Sequence, residues 1–269
     1  MITRLGILLT LGFALRIDAA YPPFRTGLSD LRLTVSSPLS TAKSIEDRVG
    51  RTPRRSSYDP TRELYRVIVP QNYTHAKKWG LIVWIDPFDA PRIPSGWPAL
   101  LAEKGYLIVL PANAGNRRNS TDRIRLALDA RHHMPRLFNI DARRIIITGW
   151  NEGGRIASVI GVSYPDQFPN CIPMMGCFFY ERIPLGRNRF YPAAYTPKAS
   201  MVDLAKNNRF IIVTTPGDVL GTECKLVYEH GFRANGYRDV RLVTLPTAMA
   251  MPQARHFRKV LEQFDSAPE

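Results

Sequence analysis

Three cysteines in 269 residues are too few for a disulfide scaffold, and none of them forms a C-x-x-C pair. There is no H-E-x-x-H. His132 and His133 are adjacent in sequence, so on a helix they lie about 100° apart, unlike the i, i+4 pair that shares one metal ion. Gly153-Gly154 has no Lys-Ser behind it, and Gly149-x-x-x-Gly153-Gly154 misses the spacing of a dinucleotide fingerprint. No metal and no cofactor is therefore expected. Acid is scarce: 23 Asp and Glu against 37 Lys and Arg give a net charge of +14. That excess suits a polyanionic or acidic surface but carries no information about fold. No nucleic-acid motif accompanies the basic cluster Arg48, Arg51, Arg54 and Arg55. No apolar run approaches the roughly 20 residues a membrane-spanning helix needs.

What is present fills a core. Hydrophobic residues make up 45% of the chain and aromatics 10%, which excludes disorder throughout and suits one large domain. Met1–Arg4, the apolar run Leu5–Leu15 and the small residues Ala19-Ala20 outline a secretory signal peptide over residues 1–20. Asp18 makes the cleavage site a poor one, and the plain alternative is a buried or membrane-tethering N-terminal helix. The expected location is secreted or periplasmic, with no transmembrane span left after cleavage. In such an oxidising compartment Cys171 and Cys177 can pair and leave Cys224 odd. The alternative is three buried thiols. Residues 21–57, rich in Pro, Ser and Arg, read as an extended basic arm or linker.

From Tyr58 the pattern changes. Tyr65–Val69, Gly80–Asp86, Tyr106–Pro111, Arg144–Thr148, Cys171–Gly176, Phe210–Thr214 and Val240–Leu245 read as strands, several of them near-continuous apolar runs. Ser120–Phe138, with Ser120 or Thr121 as N-cap, Gly153–Tyr164, Gly221–Asn235 and Gln253–Phe264 read as helices. The alternation predicts an α/β domain over residues 58–266 with a mostly parallel central sheet and helices on both faces. Ligand chemistry in such sheets sits at the carboxyl ends of the strands.

One strand-turn-helix stands out. Arg144–Ser158 reads RIIITGWNEGGRIAS, the context of a nucleophile elbow. Glycines let strand and helix close around a strained apex, whose side chain stands exposed while the next N–H, here of Glu152, helps form an oxyanion hole. The apex is Asn151. A carboxamide has no acidic hydroxyl for a base to remove, so serine-type acyl transfer has no nucleophile here. Ser158 and Ser163 lie too far along the helix to replace it. The candidate site residues are Asn151, Glu152 and Asp218.

The blocks GLIVWIDP (80–87), ANAGN (112–116), NIDARRIIITGWNEGGRIAS (139–158), YPDQF (164–168), RFIIVTTPGD (209–218) and YEHGFRANGY (228–237) resemble exported bacterial α/β-hydrolases of the polyhydroxybutyrate-depolymerase and feruloyl-esterase type. The resemblance implies an α/β-hydrolase fold and a Ser-Asp-His triad. Asn151 falls on the nucleophile, and Asp218 on the acid, where a helix cap or turn residue is the plain alternative. The loop 245–252 (LPTAMAMP) contains no histidine; Met249 or Ala250 stands at the family's base. The turn after Asp86 would supply the second oxyanion donor. Pro87 has no N–H, so Phe88 is the expected one.

Other constellations offer less. His256 is the only stand-in base, and its helix position directs it away from the apex, as a surface or interface histidine. Met174–Tyr180 is apolar and aromatic: core filling, or one wall of a substrate cleft. Arg182, Arg187 and Arg189 with Phe190, Tyr191 and Tyr195 describe either an ordinary surface loop or a contact for a sugar ring or aromatic acid. The first expectation is an esterase-like protein without catalysis, a pseudoenzyme that binds an ester, glycan or protein ligand. The alternatives are an active carboxylic-ester hydrolase using non-standard residues, and an interaction protein working through its basic arm.

Overall fold

The computed structural model describes residues 24–52, 56–217, 219–246 and 251–264. The proposed signal segment, Asp218 and the pair Met249 and Ala250 lie outside the described residues. The elements in chain order begin with β1 (Gly27–Leu31), a 3-10 turn (Pro38–Ser40), α1 (Ala42–Val49), β2 (Tyr65–Val69), β3 (Trp79–Ile85), α2 (Trp97–Lys104) and β4 (Tyr106–Pro111). Then come α3 (Ser120–Leu137), β5 (Ile140–Trp150), α4 (Glu152–Ser163), β6 (Asn170–Met174), β7 (Ile183–Gly186), β8 (Arg189–Tyr191) and α5 (Ala199–Ala205). The chain closes with β9 (Arg209–Thr214), α6 (Val219–Leu226), a π-helical stretch (Val227–Arg233), β10 (Asp239–Thr244) and α7 (Ala254–Glu262).

Eight strands form one sheet in the order β1-β2-β4-β3-β5-β6-β9-β10. The first two pairings are antiparallel and the rest parallel. Strand β3 shows why its sequence reads as an unbroken apolar run. Leu81, Val83 and Ile85 belong to the core under α1, α3 and α4, while Ile82 and Trp84 face the core under α2 and α7. Side chains alternate faces along a strand, and here both faces are buried. On the second face Trp97 stacks on Phe257 at 4.3 Å and meets Trp84 edge-on at 5.1 Å.

Segment 21–57 requires correction. Its described part is not a free arm. Strand β1 extends the sheet beside β2, and Ile45 and Val49 of α1 are fully buried. Polar anchors hold the rest. Buried Asp129 on α3 accepts from Ser37 N at 2.7 Å, Ser40 Oγ at 2.8 Å and Tyr58 Oη. Buried Asp122 accepts from Ser56 Oγ at 2.6 Å and Ser57 N at 2.9 Å, with Arg118 and Arg125 within ion-pair distance. The domain therefore includes the described residues upstream of Tyr58, 24–52 and 56–57.

Other differences are local. The N-cap of α3 is Asn119, whose Oδ1 accepts from Asp122 N at 2.8 Å, instead of Ser120 or Thr121. The helix expected over 221–235 is α6 followed by the wider π turn. Segment 181–200 contains the β7–β8 hairpin. Cys171, Cys177 and Cys224 are all free and buried. No helix of the described residues is long and apolar enough to cross a membrane.

Candidate functional site

Asn151 occupies the turn between β5 and α4 with φ 55° and ψ −128°, a backbone region that non-glycine residues rarely adopt. Close packing holds it there. A Cβ on Gly149 would come within 2.4 Å of the Ile85 carbonyl oxygen, and one on Gly153 within 2.0 Å of the same atom. Strand end and helix start thus press on one point at the end of β3, which only glycine permits. Asn151 N donates to Met174 O at 2.9 Å, and Met175 N donates to Val213 O at 2.7 Å. These bonds carry the ladder to the carboxyl edge of the sheet and raise the apex there.

The apex is therefore built as the glycine spacing predicts, but its donors are already used. Asn151 Oδ1 accepts from Glu152 N at 2.7 Å, so the carboxamide caps the first turn of its own helix. Across the cleft, Phe88 N donates to Asp86 Oδ1 at 2.9 Å, and Trp84 Nε1 donates to Asp86 Oδ2 at 3.1 Å. This corrects the expectation that Phe88 N is a free oxyanion donor. Asp86 is buried, and desolvation raises its carboxyl above the ordinary range against the pull of those hydrogen bonds. Below it, Arg123 Nη2 donates to the Asp86 carbonyl at 3.2 Å. Burial pushes this guanidinium down to about 10, while Glu152, Asp86 and Asp89 favour its charge.

Glu152 does not act alone. Its carboxylate pairs with Arg155, whose Nε donates to Glu223 Oε1 at 2.9 Å and whose Nη2 also reaches Glu223. The paired hydrogen bonds to Glu223 are the main reason Arg155 is raised above the usual arginine value. Glu223 accepts in addition from Cys177 N at 3.0 Å. The network ties the start of α4 to α6 and to the segment after β6. Arg123, Arg155 and Glu223 were missed in the sequence because no local spacing connects residues so far apart along the chain.

Among the described residues no hydrogen bond joins a histidine to Asn151 or Glu152. His75 bonds Tyr73 Oη at 2.8 Å, His133 bonds the Val35 carbonyl, and His230 lies exposed beside Glu229. His256 is buried in α7, which removes the surface half of its surface-or-interface reading, and its Nδ1 has no partner. Partial burial, with Arg255 and Lys259 beside it, lowers its pKa. Ser158 is excluded as a substitute nucleophile: its Oγ donates to Arg155 O at 2.8 Å and accepts from Phe178 N at 2.9 Å. No group of metal-ligating side chains occurs among the described residues. Met174, Met175, Cys177 and Phe179 are fully buried core. Beside the apex lies a cleft of 380 Å³ lined by Asp86, Phe88, Arg92, Ile93, Pro94, Trp150 and Met251. The Phe88 and Trp150 rings face each other across 6.1 Å.

No family model and no curated protein sequence matches the chain. Solved structures do. An esterase from Thermogutta terrifontis with butyrate bound aligns at TM-score 0.53 and 17% identity, over 79% of this chain and 90% of its own. The chain has the α/β-hydrolase fold. An acylaminoacyl peptidase from Pyrococcus horikoshii aligns at TM-score 0.52 and 17% identity, over 76% of this chain. A dipeptidyl aminopeptidase IV from Bacteroides ovatus, described as putative, aligns at 0.52 and 16%, also over 76%. The α/β-hydrolase-fold chain spans only 38% and 33% of these two peptidases, and 57% of a thermostable esterase.

Proposed function

We propose that this chain is an esterase-like protein without catalysis, which binds an ester-bearing small molecule or polymer, or a glycan, at the cleft beside Asn151. One observation carries the reading: the apex side chain is a carboxamide whose Oδ1 accepts the Glu152 N–H at 2.7 Å. The group that should attack cannot, and the donor that should stabilise an oxyanion is spent. The missing histidine in the loop 245–252 and the capped Phe88 N–H point the same way. The blocks quoted above support the finer likeness to polyhydroxybutyrate depolymerases and feruloyl esterases. The apolar run 5–15 supports export.

The cleft suits the apolar part of such a ligand, with Phe88, Ile93, Trp150 and Met251 as walls and Arg92 at its side. Three of the four tryptophans are buried in the core, whereas Trp150 lines the cleft, so its fluorescence reports occupancy. In the test, purified protein meets a short-chain nitrophenyl ester and a fluorophosphonate probe, with tryptophan emission followed in parallel. The expected result is emission quenching by the ester that Trp150→Phe abolishes, with no turnover above buffer and no probe label. Asn151→Ser alone stays inactive, because no base faces it. Turnover in the unmodified chain overturns the reading. Its loss in Asn151→Ala would locate that activity at the apex, and its survival would locate it elsewhere.

A further inference from the structure

The β7–β8 hairpin leaves the carboxyl edge of the sheet, the same edge that carries Asn151, and its two sides differ. On the inner side Ile183 is buried and Tyr191 is half-buried, its phenol raised first by burial and then by the Glu223 carboxylate. Toward the tip, by contrast, Leu185 and Phe190 are 43% and 44% exposed. The Arg182 guanidinium lies over the Phe190 ring at 4.2 Å. Arg187 and Asn188 form the tip with φ of 48° and 58°, and Arg189 follows. Within residues 181–190 three arginines stand against one acid, Glu181. Two apolar side chains at the tip of a solvated hairpin, ringed by cations, are poorly served by water.

We propose that this hairpin docks the protein on an anionic lipid bilayer. A bilayer interface satisfies both halves of the surface at once. Leu185 and Phe190 enter the boundary between headgroups and acyl chains, while Arg182, Arg187 and Arg189 meet lipid phosphates, to which a planar guanidinium bonds in pairs. A soluble polyanion would engage the arginines alone and leave the apolar pair hydrated. The net charge of +14 draws the whole molecule toward a negative membrane before contact. Docking in this way turns the carboxyl edge of the sheet, and the cleft beside Asn151, toward the lipid.

The test is co-sedimentation of the full chain with phosphatidylcholine vesicles, with and without phosphatidylglycerol. Binding is expected only with the anionic lipid, and salt weakens it. Arg187→Gln and Arg189→Gln each reduce the partition coefficient about fivefold. The double variant Leu185→Ser, Phe190→Ser reduces it roughly tenfold or more. The substituted side chains are solvent-facing, so the melting temperature stays that of the parent and reports intact folding. Failure to bind anionic vesicles overturns the proposal. Equal binding by the serine double variant does so too, and if heparin then competes with the vesicles, the hairpin is a polyanion site and not a lipid one.

Discussion

The elbow and the N-terminal wrap are held to the same core by opposite means. The elbow from Gly149 to Gly153 is closed by backbone pressed on backbone, with Ile85 O at the point of contact. The wrap, residues 37–40 and 56–58, is held by polar side chains that converge on the buried carboxylates of Asp129 and Asp122. The elbow tolerates a changed apex side chain because nothing in its closure depends on that side chain. The wrap relies more on such polar bonds, two of them from the backbone amides of Ser37 and Ser57, because Leu33, Ile45 and Val49 are its few buried apolar groups. A changed apex side chain thus leaves the closure of the elbow intact, whereas removal of the α3 carboxylates is expected to loosen the wrap.

The sharpest way to break that contrast is Asp122→Ala. It leaves the largely buried Arg125 without its carboxylate, while Arg118 keeps its pair with Glu63, and it strips the acceptor from Ser56 and Ser57. A loss of about 3–5 kcal/mol is expected, read from denaturant midpoints, together with faster proteolysis within residues 24–58. A neutral result would mean that the wrap is held by apolar contact instead. Next in size is Gly153→Ala. Its Cβ would lie 2.0 Å from Ile85 O, a backbone atom with no rotamer to yield. Strain of roughly 3 kcal/mol is expected, which lowers the melting temperature by about 6–12 °C. A change below a degree would show that the elbow is looser than drawn.

The smallest effect is a pH dependence in the wrap. Desolvation is the chief cause that raises Asp129 above its ordinary 3.8, despite the hydrogen bonds from Tyr58, Ser37 and Ser40. A raised acid favours the protonated native state, so its contribution is greatest below the unfolded value. It is lost as the pH rises from about 4 through the folded value. Asp129→Asn keeps an acceptor for Ser37 and removes this slope. The difference in melting temperature between parent and variant should therefore shift in the variant's favour as the pH rises. A constant difference would show that the Asp129 pKa is not raised on folding.

The contrast also explains what could be read from sequence. Strands β2 and β4 were delimited to the residue from their apolar runs, and the elbow from glycine spacing, because each is a local pattern tied to a local cause. Helix α1 and strand β1 were invisible. Strand β1 is an edge strand that buries little of itself, and the bonds fixing the wrap span up to 92 residues. The same applies to the site. Asn151 and Glu152 were located by motif. The tie from Arg155 to Glu223 joins segments 68 residues apart and left no sequence signal, whereas the capping of Phe88 N by Asp86 is a local turn two residues long that the glycine and triad pattern does not register. His256 reads as a surface or interface residue, and its burial in α7 narrows that choice because helical periodicity alone does not reveal which side of a helix is covered.

The two capped amides have a consequence for inhibitors. Boronates and trifluoromethyl ketones gain their grip on serine hydrolases from an alcohol adduct and free amide donors. At this apex there is no alcohol, and Asn151 and Asp86 already hold the amides. Under the proposed function, inhibitor-based profiling of a proteome would pass over the chain, while a census by shape would group it with α/β-hydrolase folds.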